Sequence, residues 1–312
     1  MTATNTSNIQ SINVVGSHGM QNSTATIEAT TTSLNLGDTV TVDVGYSDDH
    51  EVVFTGLVKG IQKSEQPIQY TITAIDTLIR AMDYFIVSSN PESPFTRQNI
   101  TAENLIGDVL ALSGLTNYSG ASSYFTLAIN NPVEINLTSS YDYCKFITDL
   151  LAWHLYSDIN GKVWFIDRKP YVMGGDSSYK TITLPSILSA NYAQDANNLR
   201  NRVVMYGAEG ITAEASAASP YLPAGFYKSA VVSAQIIDSQ TYADQCVAYN
   251  LNLYNRLTRV VSLSVQGDSS LMPRKVLTLS TGMAELDYDW YIYGASHSVN
   301  SGGFTTDLEL RR

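Results

Sequence analysis

The densest patch of reactive side chains in this 312-residue sequence is Ser47-Asp48-Asp49-His50-Glu51, three carboxylates and an imidazole within five positions. Such a patch could hold a metal or act as a general base. The calcium-loop order, alternating Asp or Asn around a central Gly, is absent from it. It also lies where two strands must reverse, which predicts a solvated hairpin tip. Asp287 and Asp289, on either side of Tyr288, occupy the corresponding place near the end of the chain. The histidines are His18, His50, His154 and His297, and no two have metal-ligand spacing on one helix or strand. His154 continues an apolar helical face and His297 lies on a closing strand; both are expected as hydrogen-bonded core histidines. No serine sits in a Gly-x-Ser-x-Gly elbow, and neither a Gly-x-Gly-x-x-Gly fingerprint nor a phosphate loop with its lysine is present. Catalytic, cofactor-binding and metal-ligating residues are therefore assigned to none of these positions.

Cys144 and Cys246 match no zinc or redox spacing and fall within helical patterns, which predicts two small buried hydrophobes. Twenty tyrosines are many for this length. Tyr288, Tyr291 and Tyr293 flank Trp290, a cluster open to three readings: cross-strand packing, a protein interface, or a sugar-stacking platform.

The elements that must carry these residues are those of a folded chain, because 44% hydrophobic and 15% charged residues are the reverse of a disordered composition. The length suits two or three domains. Eighteen basic against 29 acidic residues, net −11, argue against a groove that grips nucleic acid phosphates. Met1 to Gln10 is polar and lacks the basic-then-apolar order of a signal peptide. No apolar run approaches the roughly 20 residues of a membrane helix. A soluble protein made in a cytoplasm is expected.

The first ninety residues read as a meander of short strands. Val40, Val42 and Val44 alternate with Thr39, Thr41 and Asp43; Val52 to Ile61 returns, and after a polar loop at Lys63 to Pro67 comes Tyr70 to Ala74. Ile9 to Val15 and Ala25 to Ala29 are two further strands. From Leu78 to Ile86 the period is helical, with Pro91 and Pro94 as a boundary. In the middle, Thr101 caps a helix whose apolar face runs from Leu105 to Leu112, and Gly114 stops it. A second helix starts at Ser139 or Ser140 and carries its pattern to His154, followed by a hairpin around Asn160-Gly161. Later come a strand at Arg202 to Tyr206, a loop from Glu209 to Gly225 expected to be mobile, a helix at about 239–257, and strands at Val261–Val265, Leu277–Leu279, Trp290–Ser298 and Phe304–Leu310.

A repeat runs through this pattern. Gly56 in Val53-Phe54-Thr55-Gly56-Leu57-Val58 and Gly294 in Tyr291-Ile292-Tyr293-Gly294-Ala295-Ser296 both interrupt a strand, and each is preceded and followed by a further strand. A mid-strand glycine suggests a barrel corner. The expected fold is α+β, mainly β: two tube-like antiparallel β-barrels at 1–90 and 201–312, the second holding the helix near 239–257, with a helix-containing α/β insert at 91–200.

Several segments, in order, resemble one family. Gly37-Asp38-Thr39-Val40-Thr41-Val42, then Val53 to Val58, then Tyr70-Thr71-Ile72-Thr73-Ala74-Ile75-Asp76 look like the opening of baseplate hub proteins of contractile phage tails, the late-control D type and its relatives in secretion spikes. Thr101-Ala102-Glu103, Trp164-Phe165-Ile166-Asp167, Asn201 to Gly207 and Gly302 to Leu308 are similar to its later segments. Where the family would place Pro-Gly before the penultimate barrel strands, this chain has Pro273-Arg274, which leaves that turn open.

The resemblance implies a structural, non-enzymatic hub in the virion tail baseplate, assembled in the host bacterial cytoplasm. It implies a homotrimer whose six barrels adapt a trimeric tail spike protein to a sixfold tail tube or tube initiator protein, with other baseplate proteins around and DNA passing through. No cofactor, specific nucleic-acid binding or membrane insertion is expected. Two rival readings are a carbohydrate-binding or adhesin-like tail protein using the aromatic strands, and a hydrolase with dispersed carboxylates.

Overall fold

The computed structural model describes residues 8–87 and 95–312. The start of the chain and the Pro91 and Pro94 boundary lie outside these. In chain order the main elements are β1 (Ile9–Ser17), β2 (Thr24–Ala29), β3 (Thr39–Tyr46), β4 (Asp49–Glu65), β5 (Ile68–Asp76), α1 (Ile79–Asp83), α2 (Ala102–Leu112), β6 (Tyr118–Gly120), α3 (Ser140–Leu151), β7 (His154–Ser157) and β8 (Val163–Ile166). They continue with β9 (Lys180–Thr183), β10 (Ile187–Asp195), β11 (Arg202–Tyr206), β12 (Thr212–Ser216), β13 (Ser229–Ser233), α4 (Gln240–Tyr254), β14 (Thr258–Gln266), β15 (Val276–Ser280), β16 (Asp289–Asn300) and β17 (Gly303–Arg311). The protein is mainly β, as the alternating patterns require.

Eleven strands form one sheet in the order β10-β14-β17-β16-β1-β2-β5-β4-β3, with β15 beside β16 and β9 beside β15. Two tube-like barrels were expected; among the described residues no sheet closes, and the ladder of β1 on β16 joins the two halves. Each half rolls its apolar face inward. Val14, Val42, Phe54, Val58 and Ile72 make one core, and Val261, Leu263, Leu277, Leu279, Trp290 and Leu310 the other.

The repeat is present in topology and register. One half runs β1-β2-β5-β4-β3 and the other β10-β14-β17-β16-β15, every neighbour antiparallel. Two of their irregularities coincide, whereas a third, between Val42 and Asp43 in the first half, has no counterpart in the second. The first ladder of each half slips just after its opening pair, between Ile9 and Ser11 and between Ile187 and Ser189. The ladder of each long strand slips between Val58 and Gly60, and between Ile292 and Gly294. The counterpart of Gly294 is therefore Gly60 rather than Gly56, because the shared β-bulge fixes the alignment. Gly56 answers a different need: a Cβ there would lie 2.3 Å from the Ile75 carbonyl oxygen.

The middle body draws on more of the chain than the expected 91–200 segment. The apolar faces of α2 and α3 pack with β8, with β11 and with α4, whose Ala243, Cys246 and Val247 are buried in the same core. Residues 202–254, expected in the second barrel, thus belong to this body, whereas β9 and β10, expected in the insert, belong to the sheet. The apolar side chains of α4 and of the inner face of β11, Ala243, Cys246, Val247, Val203 and Met205, are buried in this core. Both cysteines are free and buried, and the Cys246 thiol donates to the Leu150 carbonyl at 3.0 Å. Asp238, just before α4, is buried and accepts three backbone N–H groups, from Ile129 (2.9 Å), Asn130 (2.6 Å) and Asn131 (3.0 Å).

Local expectations hold and fail for identifiable reasons. Ser139 caps α3 by accepting from the Asp142 N–H at 2.9 Å. The helix ends at Ala152, which takes a left-handed conformation, so His154 opens β7 instead of extending the helical face. Helix α1 stops at Asp83, and Phe85–Ile86 pairs as a strand with Thr138–Ser139. The loop at Lys63–Pro67 is shorter than expected, since β4 runs to Glu65. Within Glu209–Gly225, Thr212–Ser216 is ordered as β12 against β11. Arg274 adopts a φ of 77°, the region glycine favours, so the turn after Pro273 survives without a glycine. The left-handed conformation costs about 1–2 kcal/mol, and the stacking of the guanidinium on the Tyr156 ring at 4.0 Å offsets part of this.

Candidate functional site

The chemistry-bearing residues converge at one place, where the two halves of the sheet meet the middle body. His18 follows β1, His154 and Tyr156 lie on β7, Tyr291 and Tyr293 on β16, and Arg311 at the end of β17. Their rings form a column. Tyr156 stacks on His154 at 5.1 Å, His154 on His18 at 3.8 Å, and His18 on Tyr293 at 5.8 Å. Arginines cap both ends, Arg274 over Tyr156 at 4.0 Å and Arg311 over Tyr293 at 3.2 Å. The bulge at Tyr293 turns that ring toward the column.

The column is electrostatically positive and largely buried. The Tyr291 hydroxyl and His18 Nδ1 share a 2.6 Å hydrogen bond, and the Arg168 guanidinium lies 4.4 Å from the Tyr291 ring. Burial, and then the charges of Arg274, Arg168 and Arg311, hold His18 down to about 3. Burial and the adjacent His18 hold His154 well below its ordinary value. Burial raises the Tyr291 hydroxyl to about 12. Imidazoles this far below neutrality are poor proton acceptors at pH 7, and parallel stacked rings cannot converge on a metal. The arrangement fastens three parts of the fold. His154 is buried as expected, but its Nε2 has no hydrogen-bond partner among the described residues, and stacking replaces the expected bond.

The other candidates disperse. His50 pairs with Asp43 at 2.9 Å on an exposed hairpin, where the Ser47–Glu51 patch forms the tip. His297 is buried on β16, 3.2 Å from the Thr306 hydroxyl, and burial lowers it to about 4. Asp287 accepts from the Thr281 and Gly282 backbone in a turn. Trp290 and Tyr291 are fully buried, so packing is what these two aromatics do; Tyr288 is exposed. Among the described residues no three His, Cys, Asp or Glu side chains are grouped to hold a metal ion. Among the described residues no helix is long and apolar enough to cross a membrane.

Two surfaces stand out that local sequence reading does not bring together. One is the outward face of the joined sheet. Across six strands Gln266, Thr305, Ser298, Asn13, Thr26 and Thr73 stand side by side, a row of short polar side chains that crosses from one half to the other. The Ser296 and Ser298 hydroxyls both donate to the Asn13 side-chain oxygen Oδ1 across the joint, at 3.0 and 3.1 Å. Sparse carboxylates, Glu28, Asp307 and Glu309, share this face. The second comprises the edges at the two ends of the sheet, β3 and β10.

No family model matches the chain, and no curated protein matches it. Solved structures do. The tail protein from Neisseria meningitidis MC58 superposes with a TM-score of 0.71 at 11% identity, over 97% of this chain and 92% of that one. The 43 kDa tail protein of prophage MuSo2 from Shewanella oneidensis gives 0.70 at 14% identity, over 97% and 94%. The E. coli c3393 protein, a type VI secretion system component described as structurally similar to the T4 bacteriophage tail proteins gp27 and gp5, gives 0.58 at 11% identity, over 97% and 73%. The chain has the fold of these phage tail and secretion-system proteins along nearly its whole length.

Proposed function

We propose that the protein is the structural hub of a phage tail baseplate: three chains form a ring that adapts a threefold spike to the sixfold tail tube, with DNA passing through. The observation that carries this reading is the equivalence of the two halves, five strands each in the same order with the same two bulges. Two like modules in one chain make six in a trimer, which is what a junction between threefold and sixfold partners requires. The likeness to tail and secretion-system structures supports the same assignment. Each half rolls into a barrel-like module, and the sheet face of serine, threonine and asparagine is the surface suited to line a conduit. Short hydroxyls with scattered carboxylates, and an Arg311 already paired with Glu309 at 2.8 Å, offer a polyanion little to hold it. Partners are the spike, the tube or its initiator, and neighbouring baseplate proteins, and the role involves no catalysis.

Mass photometry of the full chain, alone and with its spike, tests the stoichiometry. The expected particle contains three copies of the 34.1 kDa chain. A dimer or tetramer in the complex with the spike would refute the assignment.

A further inference from the structure

A cavity of about 230 Å3 lies between the turn that follows β1, helix α3, β7 and the end of α4. Its lining holds hydrogen-bonding groups that the fold does not use. Among the described residues, His154 is 7% exposed and has no partner for Nε2, and Arg168, its side chain 10% exposed, has none for Nε. The Tyr141 and Tyr254 hydroxyls and the Trp153 indole N–H, on the same lining, also bond to no described residue. Buried polar groups without partners are rare in folded chains. Two on one cavity, with three further polar groups along its wall, point to a polar occupant.

The chemistry of the lining narrows what that occupant is. Both of its cations already have carboxylates: Lys145 pairs with Asp149, and Arg168 reaches both oxygens of Asp176 at 2.9 Å. Neither is free to hold an anion. Burial keeps His154 neutral, and a neutral imidazole carries one donor and one acceptor. A tyrosine hydroxyl also donates and accepts, whereas Arg168 Nε and the indole only donate. Donors and acceptors mixed in this way suit hydroxyl groups, which do both. Trp153, Tyr141 and Tyr254 add aromatic surface for an apolar C–H face. The volume is below the roughly 300–1,000 Å3 of pockets for drug-sized molecules, which limits the occupant to about one ring. Gln21, Lys145 and Asp149 are exposed, so the cavity is reached from solvent past them.

We propose that this cavity binds one neutral sugar ring, with its hydroxyls on His154, Arg168, Tyr141 and Tyr254 and its C–H face on Trp153. The site is separate from the aromatic strand of Trp290 and Tyr291, which are fully buried. It does not depend on the hub reading.

Saturation-transfer NMR of the full chain tests it, with glucose, galactose, mannose and N-acetylglucosamine as neutral probes, glucuronate as the charged probe and inorganic phosphate as competitor. At least one neutral sugar should receive saturation at its ring protons and bind with a Kd on the order of 1 mM, the strength open to a ligand of this size. Phosphate should not displace it. Tyr141→Phe and Tyr254→Phe each remove one hydroxyl and keep the ring, and each should weaken binding by about three- to tenfold, the worth of one ordinary hydrogen bond. Tyr221→Phe, on an exposed loop, should leave binding unchanged. Urea melts of the same proteins establish that each variant is folded. Saturation of no neutral sugar, saturation of glucuronate alone, or displacement by phosphate overturns the proposal. Binding that both Tyr141→Phe and Tyr254→Phe retain in full overturns it as well. None of these outcomes alters the stoichiometry read by mass photometry, so the sugar site and the hub reading fail separately.

Discussion

Acidification should loosen the stacked column before it damages either sheet core. His18 is held to about 3 in the folded chain, against about 6.5 for a free imidazole. The folded state therefore binds fewer protons than the unfolded state between these values. Stability is complete above pH 6.5 and declines as pH falls toward 3. For His18 alone the loss is about 2 kcal/mol at pH 5 and approaches about 5 kcal/mol below pH 3. His154, also lowered, adds in the same direction. The perturbation is His18→Phe with His154→Phe, which keeps two stackable rings and removes their titration. It forfeits the Tyr291–His18 hydrogen bond, a pH-independent loss of about 1 kcal/mol. Urea melts of both proteins from pH 7.5 to pH 4.5 read the difference. Asp76 acts oppositely, because burial raises it to about 6 and its protonation favours the folded state as pH falls through that value. His297 lies in both proteins, so both effects cancel in the comparison. The native chain should lose its advantage by about 2 kcal/mol or more between pH 7.5 and pH 5. Parallel decline of the two proteins would show that the column is not what titrates.

Asp238→Asn should destabilise by about 2–4 kcal/mol at neutral pH, because Asn130 and Asn131 would then direct N–H groups at an amide N–H2. Burial alone would raise the Asp238 carboxyl, but the three backbone donors hold it below its ordinary value; its contribution is present above about pH 4 and shrinks in acid, so the native–variant gap in urea melts should narrow there. Gly56→Ala should cost several times more than Gly294→Ala in the same assay, since the new Cβ meets the Ile75 backbone at 2.3 Å in one case and the Ser17 Cβ at 3.1 Å in the other. Val42→Asp and Leu279→Asp should each unfold the half that buries them, at a cost of several kcal/mol, and soluble, cooperatively melting variants of both would contradict the core assignments. Duplex DNA should not be retarded in gels at physiological salt by a trimer of net charge −33.

Much of this fold was legible one element at a time. Strand alternation in Val40–Val44, the cap at Ser139 and the Asn160-Gly161 hairpin are local signals, and each marks an observed element; Thr101 marks the start of α2, but its hydroxyl makes no capping hydrogen bond. Membership of a sheet or core is not local. Nothing near Ile187–Asp195 says that it pairs with β14, because its outward edge is free and most of its side chains are exposed, so no apolar period marks it. Helix α4 carries an apolar face that any core could have taken, and only the packed structure assigns it to α3 and β11. The strand context drew the alignment to Gly56, whereas the shared bulge sets it at Gly60, the glycine that matches Gly294. The column was missed for the same reason: its two histidines come from distant segments, each unremarkable alone. The Tyr288–Tyr293 run was its one visible trace. The short polar residues of the outward face were visible as one side of each strand, but their continuity depends on β1 meeting β16.

The central claim is that six like modules surround one axis. Electron microscopy class averages of the chain bound to the proposed spike partner, viewed down that axis, test it most directly. The account predicts a threefold particle whose ring shows six similar densities at near-equal spacing, two from each chain. A ring with three densities, or a trimer in which the two halves of each chain lie at different radii with unrelated outlines, would contradict it.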